Sequence, residues 1–178
     1  MGSRSIDDLD PEFAELYRSA LMGCRNRGVD MMVFCTIRHP IEQAKLWRQS
    51  RSRTQIEALA DRYRTGGAGF LLECLEAAGP QNGRHVTNAP PGLSWHQFAL
   101  AADSAWRVDG MLVWDPDLLV EGQNGYRVYH EELEKVGLTW VSLGGSRDWP
   151  HGQLPAESNP GKKYSLAQID ELMRERFS

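Results

Sequence analysis

The sequence predicts an α+β fold in which a small, mainly antiparallel sheet has helices packed against it. Helical periodicity fills most of the N-terminal half and the C-terminus, short apolar runs bounded by Gly, Asp and Pro recur from Met31 onward, and Val108-Asp109-Gly110 joins two of those runs as a tight hairpin. In order, Asp10-Pro11 reads as an N-cap followed by proline at the first helical position. Phe13, Leu16, Tyr17, Ala20, Leu21 and Cys24 then recur at helical spacing until Gly28 closes the helix. Met31 to Ile37 is a buried strand, and Pro40 starts a second helix with Ile41, Ala44 and Trp47 facing inward. Helices follow over 54–63 and 70–77, separated by Gly66-Gly67, and the Pro-, Gly- and Asn-rich stretch 79–94 is a long loop. Leu100 to Trp106 and Met111 to Trp114 are the strands of the hairpin, which places Asp103 inside a strand. Tyr126, Tyr129, His130 and Leu133 mark a helix ending at Gly137. Leu138 to Leu143 is the last strand, before a turn at Gly144-Gly145. Ser165 with Gln168 is a capping box for a final helix that buries Ile169, Leu172 and Met173.

Composition bounds what such a chain can do. With 178 residues, 41% hydrophobic and 25% charged, it can bury a core of its own, and no composition break suggests a second domain. The 20 basic and 24 acidic residues give a net charge of -4, which excludes a broad electrostatic footprint for nucleic acid. The basic run Arg48 to Arg53 is expected to be a solvated face. Cys24, Cys35 and Cys74 are odd in number and widely spaced, so they are small core residues rather than a disulfide framework. No run of about 18 apolar residues could span a bilayer, and Met1 to Asp10 carries no apolar signal segment.

The residues that carry chemistry lie in two segments. Ser94 to Asp103 supplies His96 and Asp103, and Asp148-Trp149-Pro150-His151 supplies a second carboxylate and a second imidazole. Zinc hydrolases hold the metal with three nitrogen or oxygen side chains, leave one position for water, and set a carboxylate beside it as base; two histidines and two aspartates can fill those roles. His96 and Asp103 are seven positions apart, about 10 Å on a helix and more than ~20 Å on a straight strand, so they can share a metal only if the chain bends near Phe98 and Ala99. Pro150 lacks an amide hydrogen and biases Trp149 away from helix, which predicts a stiff, extended presentation of Asp148 and His151. His39, His85 and His130 are given no role.

These residues resemble a family of zinc peptidases that cut peptidoglycan stem peptides: the VanY-like D-alanyl-D-alanine carboxypeptidases and the phage L-alanyl-D-glutamate endopeptidases. The family's run of serine, histidine, glycine, alanine and aspartate is similar to Ser94, His96, Ala99, Ala101 and Asp103, with alanine at the glycine place. Its late aspartate, proline, histidine and phenylalanine are similar to Asp148, Pro150, His151 and Gly152, with glycine in place of phenylalanine. An arginine at a strand end followed by glutamine five residues later resembles Arg38 and Gln43.

The resemblance implies a Hedgehog/D,D-peptidase-like fold and one zinc ion held by His96, Asp103 and His151. It implies Asp148 as general base and later acid, Arg38 as stabiliser of the developing oxyanion, and Gln43 and Ser94 as supports of substrate, ligand or loop. It implies bacterial peptidoglycan as substrate and a monomeric, phage-type endolysin cutting the L-alanyl to D-glutamate bond. Such an enzyme is expected to wait in the host cytoplasm until it is released to the wall. Two other readings stay open at this point: a D-alanyl-D-alanine carboxypeptidase or dipeptidase with the same metal chemistry, and a non-catalytic binding module that keeps the zinc fold.

Overall fold

A computed structural model describes residues 2–143 and 146–178. In chain order the elements are α1 (Pro11–Asn26), β1 (Asp30–Cys35), α2 (Pro40–Arg48), α3 (Arg53–Thr65), α4 (Gly69–Ala77), β2 (Ala101–Val108), β3 (Met111–Val113), α5 (Gly125–Lys135), β4 (Ser142–Leu143), β5 (Ser146–Arg147), β6 (His151–Gln153) and α6 (Leu166–Phe177). They form two compact units, a sheet unit of Ser3–Ile37 and Ala99–Ala156 and a helical unit that contains Arg38–Phe98 and Glu157–Ser178. Among the described residues no helix is long and apolar enough to cross a membrane.

In the sheet unit, β2 is the central strand and all its pairings are antiparallel. It pairs with β1 along one edge; along the other it meets β6 through its first residues and β3 through its last. The β2–β3 hairpin turns through Asp109 (φ 49°) and Gly110 (φ 80°), a two-residue loop whose positive φ values match the right-handed twist of the strands. Helix α1 begins where Asp10 Oδ1 accepts from the amides of Glu12 (3.1 Å) and Phe13 (3.4 Å), and Gly28 (φ 76°) follows its end in the left-handed conformation. Its buried face, Phe13, Tyr17, Ala20, Leu21 and Cys24, joins Met31, Trp106, Tyr126, Tyr129 and Leu133 in one core. Gly125 makes that core possible, because a Cβ there would stand 2.3 Å from the rigid indole of Trp106.

In the helical unit α4 packs against α2, α3 and α6. The capping boxes Ser52/Gln55 and Ser165/Gln168 start α3 and α6. Ala68 cannot cap α4 with its side chain, and the buried carboxylate of Asp170 on α6 accepts from the Leu71 amide instead (2.7 Å). The loop before His96 is anchored rather than loose. Tyr63 Oη donates to the Pro91 carbonyl, Arg51 donates to the Thr87 carbonyl (3.0 Å), and Gly92 (φ 83°) sits where a side chain would run into Leu71 and Ile169.

Several expectations need correction. The strand expected over Leu138 to Leu143 shrinks to β4 plus an isolated bridge from Thr139 to Gln153, because its residues pair with strands that are themselves only two or three residues long. The turn expected at Gly144-Gly145 lies outside the described residues. Leu172 is not buried but 37% exposed, and the inner face of α6 is Ile169, Asp170 and Met173. The run Arg48 to Arg53 is not simply a solvated face: Arg48 donates to the Leu75 carbonyl (2.8 Å), and Arg51 lies 5.1 Å over the Trp47 ring. All three cysteines are buried, as expected of small core residues.

Candidate functional site

The predicted site residues fall into both units. In the sheet unit, strand pairing decides the geometry. Asp103 lies directly opposite His151 across β2 and β6, and opposite Cys35 across β2 and β1. Residues directly opposite in antiparallel strands share a face with Cβ atoms about 5 Å apart, and here the side chains meet, with His151 Nδ1 3.1 Å from Asp103 Oδ1. The Cys35 thiol lies within 4.8 Å of an Asp103 carboxylate oxygen, a neighbour that no spacing in the sequence signals. The adjacent Ser104 points to the other face, where its hydroxyl bonds Tyr17 Oη (2.6 Å); Tyr17 in turn bonds Tyr129 Oη (2.9 Å). Burial pushes both phenols well above their ordinary pKa, so this floor beneath the strand stays protonated and neutral.

Asp148 to His151 is not extended as expected but closes a hydrogen-bonded turn, the His151 amide donating to the Asp148 carbonyl (3.1 Å). A four-residue turn brings its ends within about 7 Å, so the candidate base and the second imidazole share one compact loop. Pro150 helps hold this loop, since its carbonyl accepts from the Ser104 amide (2.9 Å) beside Asp103. The missing phenylalanine at Gly152 has a structural answer. A Cβ at Gly152 would already lie 3.0 Å from the Leu133 methyls and 3.1 Å from Tyr129 Oη, so α5 side chains fill the volume behind His151.

His130, given no role from sequence, supports the same loop. It is 2% exposed, donates from Nε2 to the Trp149 carbonyl (2.9 Å), and stacks between Trp140 (5.2 Å) and Trp149 (4.9 Å). Burial lowers its pKa to about 4, so the ring is neutral near pH 7. Arg147 covers this stack, 4.2 Å over the Trp140 ring, and Trp140 Nε1 donates to Glu134 (2.8 Å). A cleft of about 480 Å³ opens beside it, lined by Arg127, His130, Glu131, Glu134, Arg147 and Trp149.

In the helical unit Arg38 and Gln43 are joined. Arg38 Nη1 donates to Gln43 Oε1 (2.9 Å), and the fully buried Gln43 amide donates from Nε2 to the Ala89 carbonyl (2.6 Å), tying α2 to the loop. The Arg38 amide donates to the His96 carbonyl (3.3 Å), so the backbone at the predicted arginine and at the first predicted histidine is joined. His96 itself is buried in a 3-10 turn over Trp95–Phe98. Ser94 begins that turn through its carbonyl, which accepts from the Gln97 amide (3.1 Å).

The bend required between His96 and Asp103 falls where it was expected. After the 3-10 turn, Ala99 adopts φ 61° and its carbonyl accepts from the Asp10 amide (3.0 Å). Ala99 stands at the place where the resembling family carries glycine, and the left-handed region is the one that glycine enters without a Cβ penalty.

No family model matches the chain, and no curated protein sequence does. Among solved structures it is similar to a vancomycin-resistance D,D-pentapeptidase, VanY of a VanB-type resistance cassette, solved as a single-substitution variant with Zn(II). The two are 18% identical over 96% of this chain and 84% of that one, with a TM-score of 0.46.

Proposed function

We propose that this protein is a zinc-dependent peptidase of bacterial peptidoglycan, and that its bond is the one between L-alanine and D-glutamate in the stem peptide, as in a wall-lysing endopeptidase. The observation that carries the reading is the pairing of Asp103 with His151 at 3.1 Å, with Asp148 on the same turn. Zinc bonds of about 2.0–2.1 Å in tetrahedral geometry separate adjacent ligand atoms by about 3.3 Å, so the carboxylate oxygen and imidazole nitrogen fit one ion as they stand. Both atom types suit zinc.

In this reading His96, Asp103 and His151 hold the ion. Zinc bound there supplies Lewis acidity to the scissile carbonyl and to a water whose pKa falls to about 7. The Asp148 carboxylate takes the proton of the attacking water and later returns it to the leaving amine nitrogen. The Arg38 guanidinium, oriented by Gln43, donates to the oxygen that gains charge as the carbonyl becomes tetrahedral. Ser94 supports the turn that carries His96.

The test is digestion of purified muropeptides with and without a chelator, read by mass spectrometry. New D-glutamate amino termini, abolished by chelation and restored by zinc, are expected. Release of D-alanine instead would move the bond to the stem terminus. Intact muropeptides with zinc-loaded protein, or full activity without metal, would overturn the peptidase reading.

A further inference from the structure

On α5, Arg127, His130, Glu131 and Glu134 follow one another at i, i+3, i+4 and i+7, so they form one stripe of the helix. That stripe lines the cleft of about 480 Å³, and Arg147 and Trp149 line it from the segment that carries Asp148. Three of its charged groups are held in place. The Arg147 guanidinium lies 4.2 Å over the Trp140 ring and 5.2 Å over that of Trp149, Glu134 Oε1 accepts from Trp140 Nε1 (2.8 Å), and Glu131 accepts from Arg27 (2.7 Å). Yet among the described residues neither Arg127 nor Arg147 makes a side-chain hydrogen bond or ion pair, although two carboxylates line the same cleft.

An acceptor in the lining is uncommitted as well. His130 Nε2 is taken by the Trp149 carbonyl, which can only accept, so the proton of the neutral ring is on Nε2. Nδ1 is a buried lone pair without a partner among the described residues. Buried polar atoms are nearly always paired, so one left open on a residue that lines a cleft points to a group the cleft takes in. The formal charges decide what kind of group. A lone anion drawn by the guanidiniums would meet two carboxylates, and a lone cation would meet the reverse conflict, whereas a ligand that carries both charges satisfies both sets.

We propose that this cleft binds a zwitterionic amino-acid head group, its carboxylate received by Arg127 and Arg147 and its ammonium by Glu131 and Glu134. The donor fork of arginine suits a carboxylate, and the Trp149 ring offers an apolar wall to the methylenes behind the head group. A stem peptide supplies such a head group where it contains a diamino acid such as diaminopimelate. That source rests on the proposed peptidase reading, whereas the head-group site does not. Because Trp149 directly follows Asp148, a stem peptide seated in the cleft is anchored next to the candidate base.

The test titrates the full chain with D-norleucine, a head group on a plain alkyl chain, and follows by nitrogen–proton NMR the indole N–H of Trp140, which bonds Glu134 at the cleft. Norleucine should bind saturably. N-acetyl-D-norleucine, which lacks the ammonium, and D-norleucine amide, which lacks the carboxylate, should each bind about tenfold more weakly. Arg127→Gln and Arg147→Gln should each weaken norleucine by about tenfold without weakening the amide, and Glu134→Gln, which keeps an acceptor for Trp140, should weaken norleucine without weakening the N-acetyl compound. Thermal unfolding shows that the variants are folded, and a merely structural role would not move these selectivities. Equal binding of the three compounds, no saturable shift, or wild-type affinity in both arginine variants overturns the proposal. Stem tripeptides ending in diaminopimelate or in lysine, whose side chain ends in an ammonium alone, separate the sources: tighter binding of the first upholds the stem peptide as ligand, and equal binding overturns it in favour of free amino acids. Charge-selective norleucine binding by a protein that leaves muropeptides intact upholds the cleft and overturns the peptidase reading.

Discussion

In the sheet unit Asp103 and His151 meet across 48 residues of sequence because β6 pairs with the first residues of β2, whereas in the helical unit Arg38 and Gln43 meet across five, because α2 starts at Pro40 between them. The first arrangement depends on long-range pairing and on the core beneath it, where Tyr17, Tyr129 and Ser104 form a neutral floor. The second depends on one helical turn and on a buried amide that reaches a loop carbonyl. Under the proposed peptidase reading, disturbing the sheet unit should therefore act on the metal, and disturbing the helical unit on the orientation of a charge.

The largest expected effect separates two residues of one turn. His151→Ala should lose bound zinc, measured by metal content, and with it all activity. Asp148→Ala should keep the zinc and lose about a thousandfold in turnover. Equal loss of zinc in both would make Asp148 a ligand and collapse the distinction between them.

The next effect is one of pH. The folded-state pKa of His130, about 4, lies below its ordinary value of 6.5, so the neutral ring contributes stability that is present above pH 6.5 and lost as pH falls toward 4. The loss amounts to about 3 kcal/mol at most. Hydrogen exchange should show the sheet unit opening over that range while α2, α3, α4 and α6 stay protected, and His130→Gln should flatten the profile. Equal opening of both units would remove the contrast.

In the helical unit Gln43→Leu should cost about 1–3 kcal/mol by denaturant unfolding, since the Ala89 carbonyl and the Arg38 guanidinium each lose a partner. Its effect on turnover should exceed its effect on zinc affinity; a fall in affinity instead would transfer Gln43 to the metal's support. The smallest change is Ala99→Gly, which relieves a left-handed alanine at the cost of a more flexible unfolded chain, for a net gain of about 0.5–1 kcal/mol in thermal unfolding.

Much of the fold was legible because its signals are local. Asp10-Pro11 and Ser165 with Gln168 cap the helices they were expected to cap, and Asp109-Gly110 makes the expected hairpin, since capping and turn chemistry involve only a few neighbouring residues. The failures share the opposite cause. Leu172 fits the helical period yet is exposed, because the width of the buried face of α6 depends on what α6 packs against. The Asp148 to His151 segment was read as extended from Pro150 alone, but the Asp148 carbonyl and the His151 amide close a turn that proline at the third position does not prevent.

For the site, the sequence by itself determined the chemistry on offer, two imidazoles and two carboxylates, with a bend between His96 and Asp103 required for both to hold one ion. That bend follows from bond lengths and residue spacing, which no packing can change, and Ala99 supplies it. Only the tertiary structure decided that Asp103 faces His151, that His130 and the Trp140 and Trp149 rings brace the turn, and that α5 fills the space at Gly152. Those contacts join residues distant in sequence through strand register and hydrogen-bond direction, and neither exists until the sheet has formed.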